Sequence, residues 1–372
     1  MSAFNEFFMP NSAAASDRQG AMARTTVAGL CIGDFHDRWE QARQVAHLGE
    51  AALADLLAIL EDENGDWEAR WFAARALGEL DHPQVIPTLI ATFAATDDDD
   101  LRQAVAAALT QIGPPAIAAL GEQLAHPALR PMAVQALARI PHPTTLPLLI
   151  EATTDERASV RAMALDALSP FTDPTTWPVV QQGLQDLAPA VRAAAIRGLL
   201  SLRGYLSTDQ IVEALTPLIE DVAPGVAQQA VYALGRLSGP AAAAALLRLL
   251  TPPTSEPLQT AVVQALIWQN TAVALTGLIA AWETLEQTAR LALVQGLPTL
   301  VPNLLPQAAQ ALLRWLGATP AGAEHSLLRR HLVLALGQVG HGGAEPLLRS
   351  LLNDPDRGVQ LHAEAALRQL QR

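Results

Sequence analysis

The residues best suited to chemistry lie near the N-terminus in two short runs: His36, Asp37, Arg38, Trp39 and Glu40, then Trp67, Glu68, Arg70, Trp71 and Arg75. Trp39 and Trp71 each directly follow an arginine, and those arginines, Arg38 and Arg70, stand 32 residues apart. If the arginines occupy equivalent positions on neighbouring helices, the two indoles lie side by side, about 10 Å apart at ordinary helix spacing. Indoles flanked by guanidinium groups anchor protein partners, because Trp and Arg dominate binding hot spots. They also suit a tetrapyrrole, whose propionates pair with Arg and whose rings stack on aromatic faces. The candidate partner-binding residues are therefore Arg38, Trp39, Trp67, Arg70, Trp71 and Arg75. The competing role is structural, two tryptophans closing the apolar end of an array whose terminal units differ from the rest.

Catalytic groups are harder to find. All 24 basic residues are Arg, so Schiff-base, phosphate-loop and general-base lysines are absent together. There is no Gly-x-Ser-x-Gly elbow, phosphate loop or dinucleotide fingerprint, and no catalytic residue is assigned. Nine histidines, among them His36, His47 and His82, include no i, i+4 pair around a glutamate of the kind that binds zinc on a helix. The run Asp97–Asp100 reads as a solvated helix cap in preference to a cation site. A net charge of −13 disfavours phosphate backbones, so a nucleic-acid partner is not expected. Cys31 is the single cysteine, which excludes an intramolecular disulfide. As a metal ligand Cys31 serves only at a site shared with another chain; the plainer expectation is a small buried hydrophobe near a helix end.

The elements that position these residues follow one pattern, clearest in DWEARWFAARALGEL, Asp66 to Leu80. After Arg70 come Ala73, Ala74 and Leu77 at helical spacing, then Gly78 as a stop, the link DHPQ, and a second apolar helix, VIPTLIATF. Aligned on Arg70, the arginines 38, 102, 130, 161 and 192 fall in register at steps of 28 to 35 residues, each followed seven positions later by an apolar residue. Ala227 and Gln259 replace the arginine in later units, Arg290 and Arg329 restore it, and Gln360 opens a last half-unit. Such hairpins bury their apolar faces only by stacking. The expected fold is all-α: an α-solenoid, or superhelix, of about ten helical hairpins plus a terminal half-repeat, continuous over residues 16–372. Residues 1–15 match no repeat and are expected to form a flexible tail, followed by a first helix from Ser16 to Leu30. Acidic residues before the first helix of many units (Asp66, Asp97–Asp100, Asp155, Asp186, Asp221, Asp354) suit helix caps, and the register arginines are expected to pair with them in a ladder. The apolar window Leu291–Leu313 carries three prolines and reads as two buried helices, so no membrane span is expected. Without a charged apolar leader, the expected location is the cytoplasm.

The frame Val-Arg-x-x-Ala-x-x-Ala-Leu, present as VRAMALDAL at 160–168 and VRAAAIRGL at 191–199, resembles HEAT repeats. ARWFAARALGEL and LLRSLLNDPDRGVQLHAEAAL resemble the phycobilisome-lyase-like branch of that family, over nearly the whole chain from Phe35 to Arg372. The resemblance implies a cyanobacterial source and, as one function, a lyase component or chromophore chaperone that places bilin on phycobiliproteins, with Cys31 able to carry a bilin as a thioether. The layout is also similar to that of a HEAT protein partnering an A-type iron–sulfur carrier. The lack of a catalytic motif and the aromatic–arginine end of an extended array make a non-enzymatic interaction scaffold or assembly factor the leading expectation, its partner along the concave face of the second helices. The layout likeness implies an iron–sulfur carrier as that partner, with a cluster shared through Cys31; the bilin lyase component is the alternative.

Overall fold

The structure, a computed structural model, describes residues 12–251 and 254–370, so the expected tail lies outside the described residues as far as position 11. Twenty-two α-helices joined by 3-10 turns make up the fold, with no strand among the described residues. The chain divides into two compact units, one ending at Val179 and one starting at Val180.

The first unit holds α1 (Ser12–Ala28), α2 (Phe35–Ala46), α3 (Glu50–Glu61), α4 (Trp67–Leu77), α5 (Val85–Ala95), α6 (Asp99–Ile112), α7 (Ile117–Glu122), α8 (Arg130–Ala138), α9 (Leu146–Ala152) and α10 (Ala158–Leu168). The even-numbered helices α2 to α10 pack each on the next as one row, and α1, α3, α5 and α7 form a second. α1 begins four residues before the expected Ser16 and takes the place of a second helix ahead of the first hairpin. α11 (Trp177–Gly183) lies where the chain passes between units.

The second unit repeats the scheme with α12 (Pro189–Ser201), α13 (Thr208–Leu215), α14 (Pro224–Gly235), α15 (Pro240–Arg248), α16 (Glu256–Gln269), α17 (Ala272–Ala280), α18 (Gln287–Gly296), α19 (Leu305–Ala318), α20 (Ser326–Val339), α21 (Glu345–Ser350) and α22 (Arg357–Leu370). Its first helices, α12 to α22 in even numbers, again pack in succession. The pairs from α2–α3 to α20–α21 are ten hairpins, and α22 is the closing half-repeat. The apolar window forms α18 and α19 around a proline turn, and no described helix is long and apolar enough to cross a membrane.

The apolar residue seven after each register position forms the spine of each core. From Val45 through Leu77, Leu109 and Leu137 to Leu168, and from Leu199 to Leu336, these side chains are at most 2% exposed, and only the terminal Leu367 is half-buried. Alanine and glycine let first helices approach closely. A Cβ on Gly78 would lie 2.8 Å from Ala108 Cα, on Gly235 2.8 Å from Ala265 Cα, and on Gly337 2.8 Å from Ala366 Cα, the same pair of repeat positions each time.

The register arginines form a ladder, in which only some find the expected aspartate partner. Each turns its guanidinium back onto carbonyls at the end of the preceding element: Arg70 to Leu60, Arg130 to Leu124, Arg192 to Asp186 and Leu187, Arg290 to Trp282 and Glu283. Those carbonyls are the ones a helix end leaves without an internal partner. Several arginines also reach forward to an aspartate of the following repeat: Arg38 to Asp66, Arg130 to Asp155 at 2.6 Å, Arg192 to Asp221 at 2.6 Å, and Arg329 to Asp354. Where glutamine replaces arginine the linkage survives in neutral form. Gln259 donates to the Thr284 carbonyl at 3.3 Å and accepts from the Glu286 amide at 2.9 Å, and Gln360 donates to the Asp354 carbonyl at 2.7 Å.

The aspartates cap as expected only in the first unit's opening repeats. Asp34 and Asp66 accept from amides of α2 and α4, and Asp98 from Asp100 and Leu101 at the start of α6. Asp155, Asp221 and Asp354 stand two residues before the N-cap positions of their helices and do not cap them; each accepts from the amide two residues on, an Asx turn that leaves the carboxylate aimed at the incoming arginine.

Candidate partner-binding site

The aromatic–arginine residues converge on the row of first helices, at α2, α4 and α6, and not along the second helices where the sequence places a partner. Phe35 and Trp39 come from α2, and Trp67, Trp71, Phe72 and Arg75 from α4. Trp39 and Trp71 are linked through Phe35, whose ring centroid lies 6.2 Å from each, and through Phe72, at 6.5 and 5.0 Å. The Arg75 guanidinium lies 4.8 Å from the Trp39 ring centroid and 5.0 Å from that of Trp71. One cation thus serves two indole faces, each contact worth about 0.5–1 kcal/mol at an accessible site.

Beside this cluster a cleft of about 390 Å³ opens between α4 and α6. It exists because α6 carries Ala104 and Ala107 at the repeat positions that hold Phe72 and Arg75 on α4, so large side chains on one helix face small ones on the next. Trp67, 51% exposed, and Phe35, 55% exposed, stand at its edge, while Phe72 is fully buried beneath. Glu68 and Asp100 line the end nearest the helix starts, Gln103 the middle, and Arg75 the far end.

The six predicted residues therefore divide. Trp67, Trp71 and Arg75 line the cleft, and Trp39 supports Arg75 from behind. Arg38 bonds to Asp66, to Glu68 at 3.2 Å and to the Gly33 carbonyl at 3.2 Å, and Arg70 donates to the Leu60 carbonyl at 3.1 Å. Both are rungs of the ladder that hold α2 and α4 in place. Phe35, Phe72 and Gln103 complete the site without having been singled out from sequence, and so does Asp100, whose run Asp97–Asp100 reads from sequence as a solvated cap. The signal for Phe35 was present: it precedes Arg38 by three residues, as Trp67 precedes Arg70.

Cys31 ends a 3-10 turn, Gly29–Cys31, and is exposed; the expectation of a buried hydrophobe is corrected, because Leu30 fills the core position instead. Partial desolvation raises the thiol above its ordinary pKa, Arg38 opposes that shift and Asp66 adds to it. No group of three or more His, Cys, Asp or Glu among the described residues is arranged to hold a metal ion. Asp99 pairs with Arg102 at 2.6 Å beside the Asp98 cap, and His82 and His142 accept amide bonds in turns. In the second unit Trp282 and Trp315 stack at 3.9 Å within the core, and an accessible Tyr232–Trp268 pair has centroids 5.3 Å apart.

The description HEAT repeats fits residues 34–110, 53–128, 114–200 and 178–267. The bilin biosynthesis protein PecE of Mastigocladus laminosus is 44% identical over 72 residues, 18% of this chain and 27% of that protein. PecE of Nostoc sp. is 37% identical over 95 residues, 24% of this chain and 38% of that protein. The chain thus spans well under half the length of these relatives. Among solved structures, the complex of CpcE and CpcF of phycocyanin lyase from Nostoc sp. is 26% identical with a TM-score of 0.37, covering 41% of this chain and 99% of that one. Kap121p bound to RanGTP superposes with a TM-score of 0.65 at 17% identity, covering 95% of this chain and 44% of that one, a likeness of fold alone. The comparisons lend no support to an iron–sulfur carrier as partner. With repeat matches running from residue 34 to residue 267, well over half of the sequence, the chain belongs to the HEAT-repeat family.

Proposed function

We propose that this chain is a component of bilin handling, a lyase subunit or chromophore chaperone that docks a phycobiliprotein through the cleft between α4 and α6. The observation that carries the proposal is the 44% identity with PecE, a bilin biosynthesis protein, repeated at 37% in a second PecE. The cleft is consistent with a docking role. Two half-exposed aromatic rings over a buried Phe72, with an arginine held between indoles, make the rigid anchor that protein interfaces favour. In this reading the cleft holds and orients the acceptor protein.

The test is spectroscopic. The purified chain is mixed with free phycocyanobilin and with an apo-phycobiliprotein subunit, separately and together, and visible absorbance is followed across a broad concentration range. A shifted or intensified bilin band that depends on the chain is the expected result. An unchanged spectrum in every mixture overturns the reading.

A further inference from the structure

The cleft between α4 and α6 is electrically polarised along its length. Glu68 and Asp100 lie at the end where both helices begin, and Arg75 lies at the other. From Glu68 to Arg75 is seven residues, about 10 Å along a helix axis. Trp67, Trp71 and Phe72 form one wall between these charges and Ala104 and Ala107 the other, so the middle is apolar apart from Gln103. Glu68 is drawn towards Arg38 at 3.2 Å, which leaves Asp100 as the carboxylate of that end with no ion-pair partner among the described residues. Arg75 likewise has no carboxylate partner among them; its guanidinium packs against both indoles.

We propose that this cleft receives a helical segment of a partner protein bearing a cation, a large apolar side chain and an anion at about i, i+4 and i+7. The cation meets Asp100, the apolar side chain enters between Trp71 and Ala104, and the anion meets Arg75. The proposal rests on the docking role above and names the chemistry of the docked segment. Three features select this occupant over a tetrapyrrole. Spacing of about 10 Å matches two turns of helix. One end of the cleft is acidic and would repel a propionate. The surrounding N-terminal unit is acidic overall, with 24 Asp and Glu against 11 Arg up to residue 179, whereas the remainder of the chain has 13 of each. Long-range steering in such a field disfavours a dianionic pigment.

The test uses the full chain and three fluorescein-labelled, alanine-based helical peptides of equal length, carrying Arg–Trp–Glu, Arg–Trp–Arg or Glu–Trp–Glu at i, i+4 and i+7. Fluorescence anisotropy is expected to show the mixed peptide binding about ten-fold more tightly than either uniform one. Asp100→Arg is expected to transfer the preference to Glu–Trp–Glu, and Arg75→Glu to transfer it to Arg–Trp–Arg, with unchanged helical circular dichroism. Asp100→Asn, which keeps size and helix start, should cut the preference of the mixed peptide over Glu–Trp–Glu several-fold. No binding of any peptide, equal binding of all three, or a preference indifferent to Asp100→Arg overturns the proposal. Displacement of the mixed peptide by free phycocyanobilin would make the cleft a pigment site and overturn it too. The spectral response of bilin with the apo-phycobiliprotein is recorded on the same preparations. If it persists while the peptides fail, the cleft assignment falls and the bilin role stands; if both fail, both fall.

Discussion

Arg192 and Asp221, 29 residues apart on successive repeats, face each other with two parallel hydrogen bonds, Nε to Oδ2 and Nη2 to Oδ1, both 2.6 Å long. The arginine also donates to the Asp186 and Leu187 carbonyls, and the carboxylate accepts from the Ala223 amide. One guanidinium therefore ties the end of one hairpin to the start of the next. The Arg192 hydrogen bonds hold the Asp221 carboxyl below its ordinary pKa against the opposing effect of burial. Asp221→Ala leaves a nearly buried cation without its counter-charge, and removing one partner of a buried pair costs about 3–5 kcal/mol. Urea unfolding followed by circular dichroism should show that loss. A change under 1 kcal/mol would mean the pair is a consequence of packing and not a cause of it.

Close helix approach gives a second expectation. A methyl on Gly235 meets Ala265 Cβ at 2.7 Å and Cα at 2.8 Å, and backbone does not yield as a flexible side chain would. Gly235→Ala should destabilise by about 1–3 kcal/mol, as overpacked cores do, despite the better helix propensity of alanine. Gly235→Ala combined with Ala265→Gly should recover part of the loss. An unchanged or raised melting temperature in the single variant would contradict the packing described.

The fold was legible in the sequence because one interaction repeats. An arginine that satisfies helix-end carbonyls and meets an aspartate fixes its own spacing, and the apolar residue seven positions on follows from helical periodicity. The ten hairpins and the closing helix were countable on that basis. The glutamine substitutions were legible as a loss of arginine but not as a preserved linkage, because whether Gln259 bridges Thr284 and Glu286 depends on three-dimensional approach. The site was half legible. Trp39 and Trp71 announced themselves, yet Arg38 and Arg70 beside them belong to the ladder, and what makes a cleft is the smallness of Ala104 and Ala107. Alanine is too common in this chain for its absence of bulk to stand out. Cys31 and Leu30 show the limit of boundary reading: a shift of one residue at a helix end exchanges a buried thiol for an exposed one.

Trp67 and Phe72 separate binding from stability. Trp67 is half-exposed at the cleft edge, so Trp67→Ala should change unfolding free energy by under about 1 kcal/mol while weakening the proposed complex with a phycobiliprotein about ten-fold or more, as a hot-spot aromatic does. Phe72 is fully buried, and Phe72→Ala should cost about 3–5 kcal/mol of stability. Calorimetric titration and urea unfolding on both variants distinguish the roles. Equal effects on both measurements would merge the cleft with the core.

Acid should unfasten the first unit at Asp155. Burial alone would raise this carboxyl, but hydrogen bonds from Arg157 and Arg130 outweigh it and hold the group at about 2. Its folded value lies below its unfolded one, so the stability it contributes is complete above about pH 4 and is lost as pH falls towards 2. Asp155→Asn should flatten that part of the pH–stability curve, measured by urea midpoints between pH 5 and 2. Parallel curves for the two proteins would show that other carboxylates govern acid unfolding.

Cys31 provides the chemical test of the thioether route. Its side chain is exposed, but partial desolvation raises the thiol above its ordinary pKa, so the thiolate fraction at neutral pH is smaller than that of a free cysteine. Thiolate is the nucleophile that would add to a bilin vinyl or ethylidene carbon, and its scarcity argues for slow addition. Labelling of the native chain with a disulfide reagent at pH 7 should go to completion, since access is open, but more slowly than for a free thiol, and should accelerate as pH rises past 9. Cys31→Ser should then leave the bilin spectral response intact. Labelling faster than that of a free thiol at pH 7, together with loss of the bilin response in Cys31→Ser, would instead make this residue the bilin carrier, at the turn before α2.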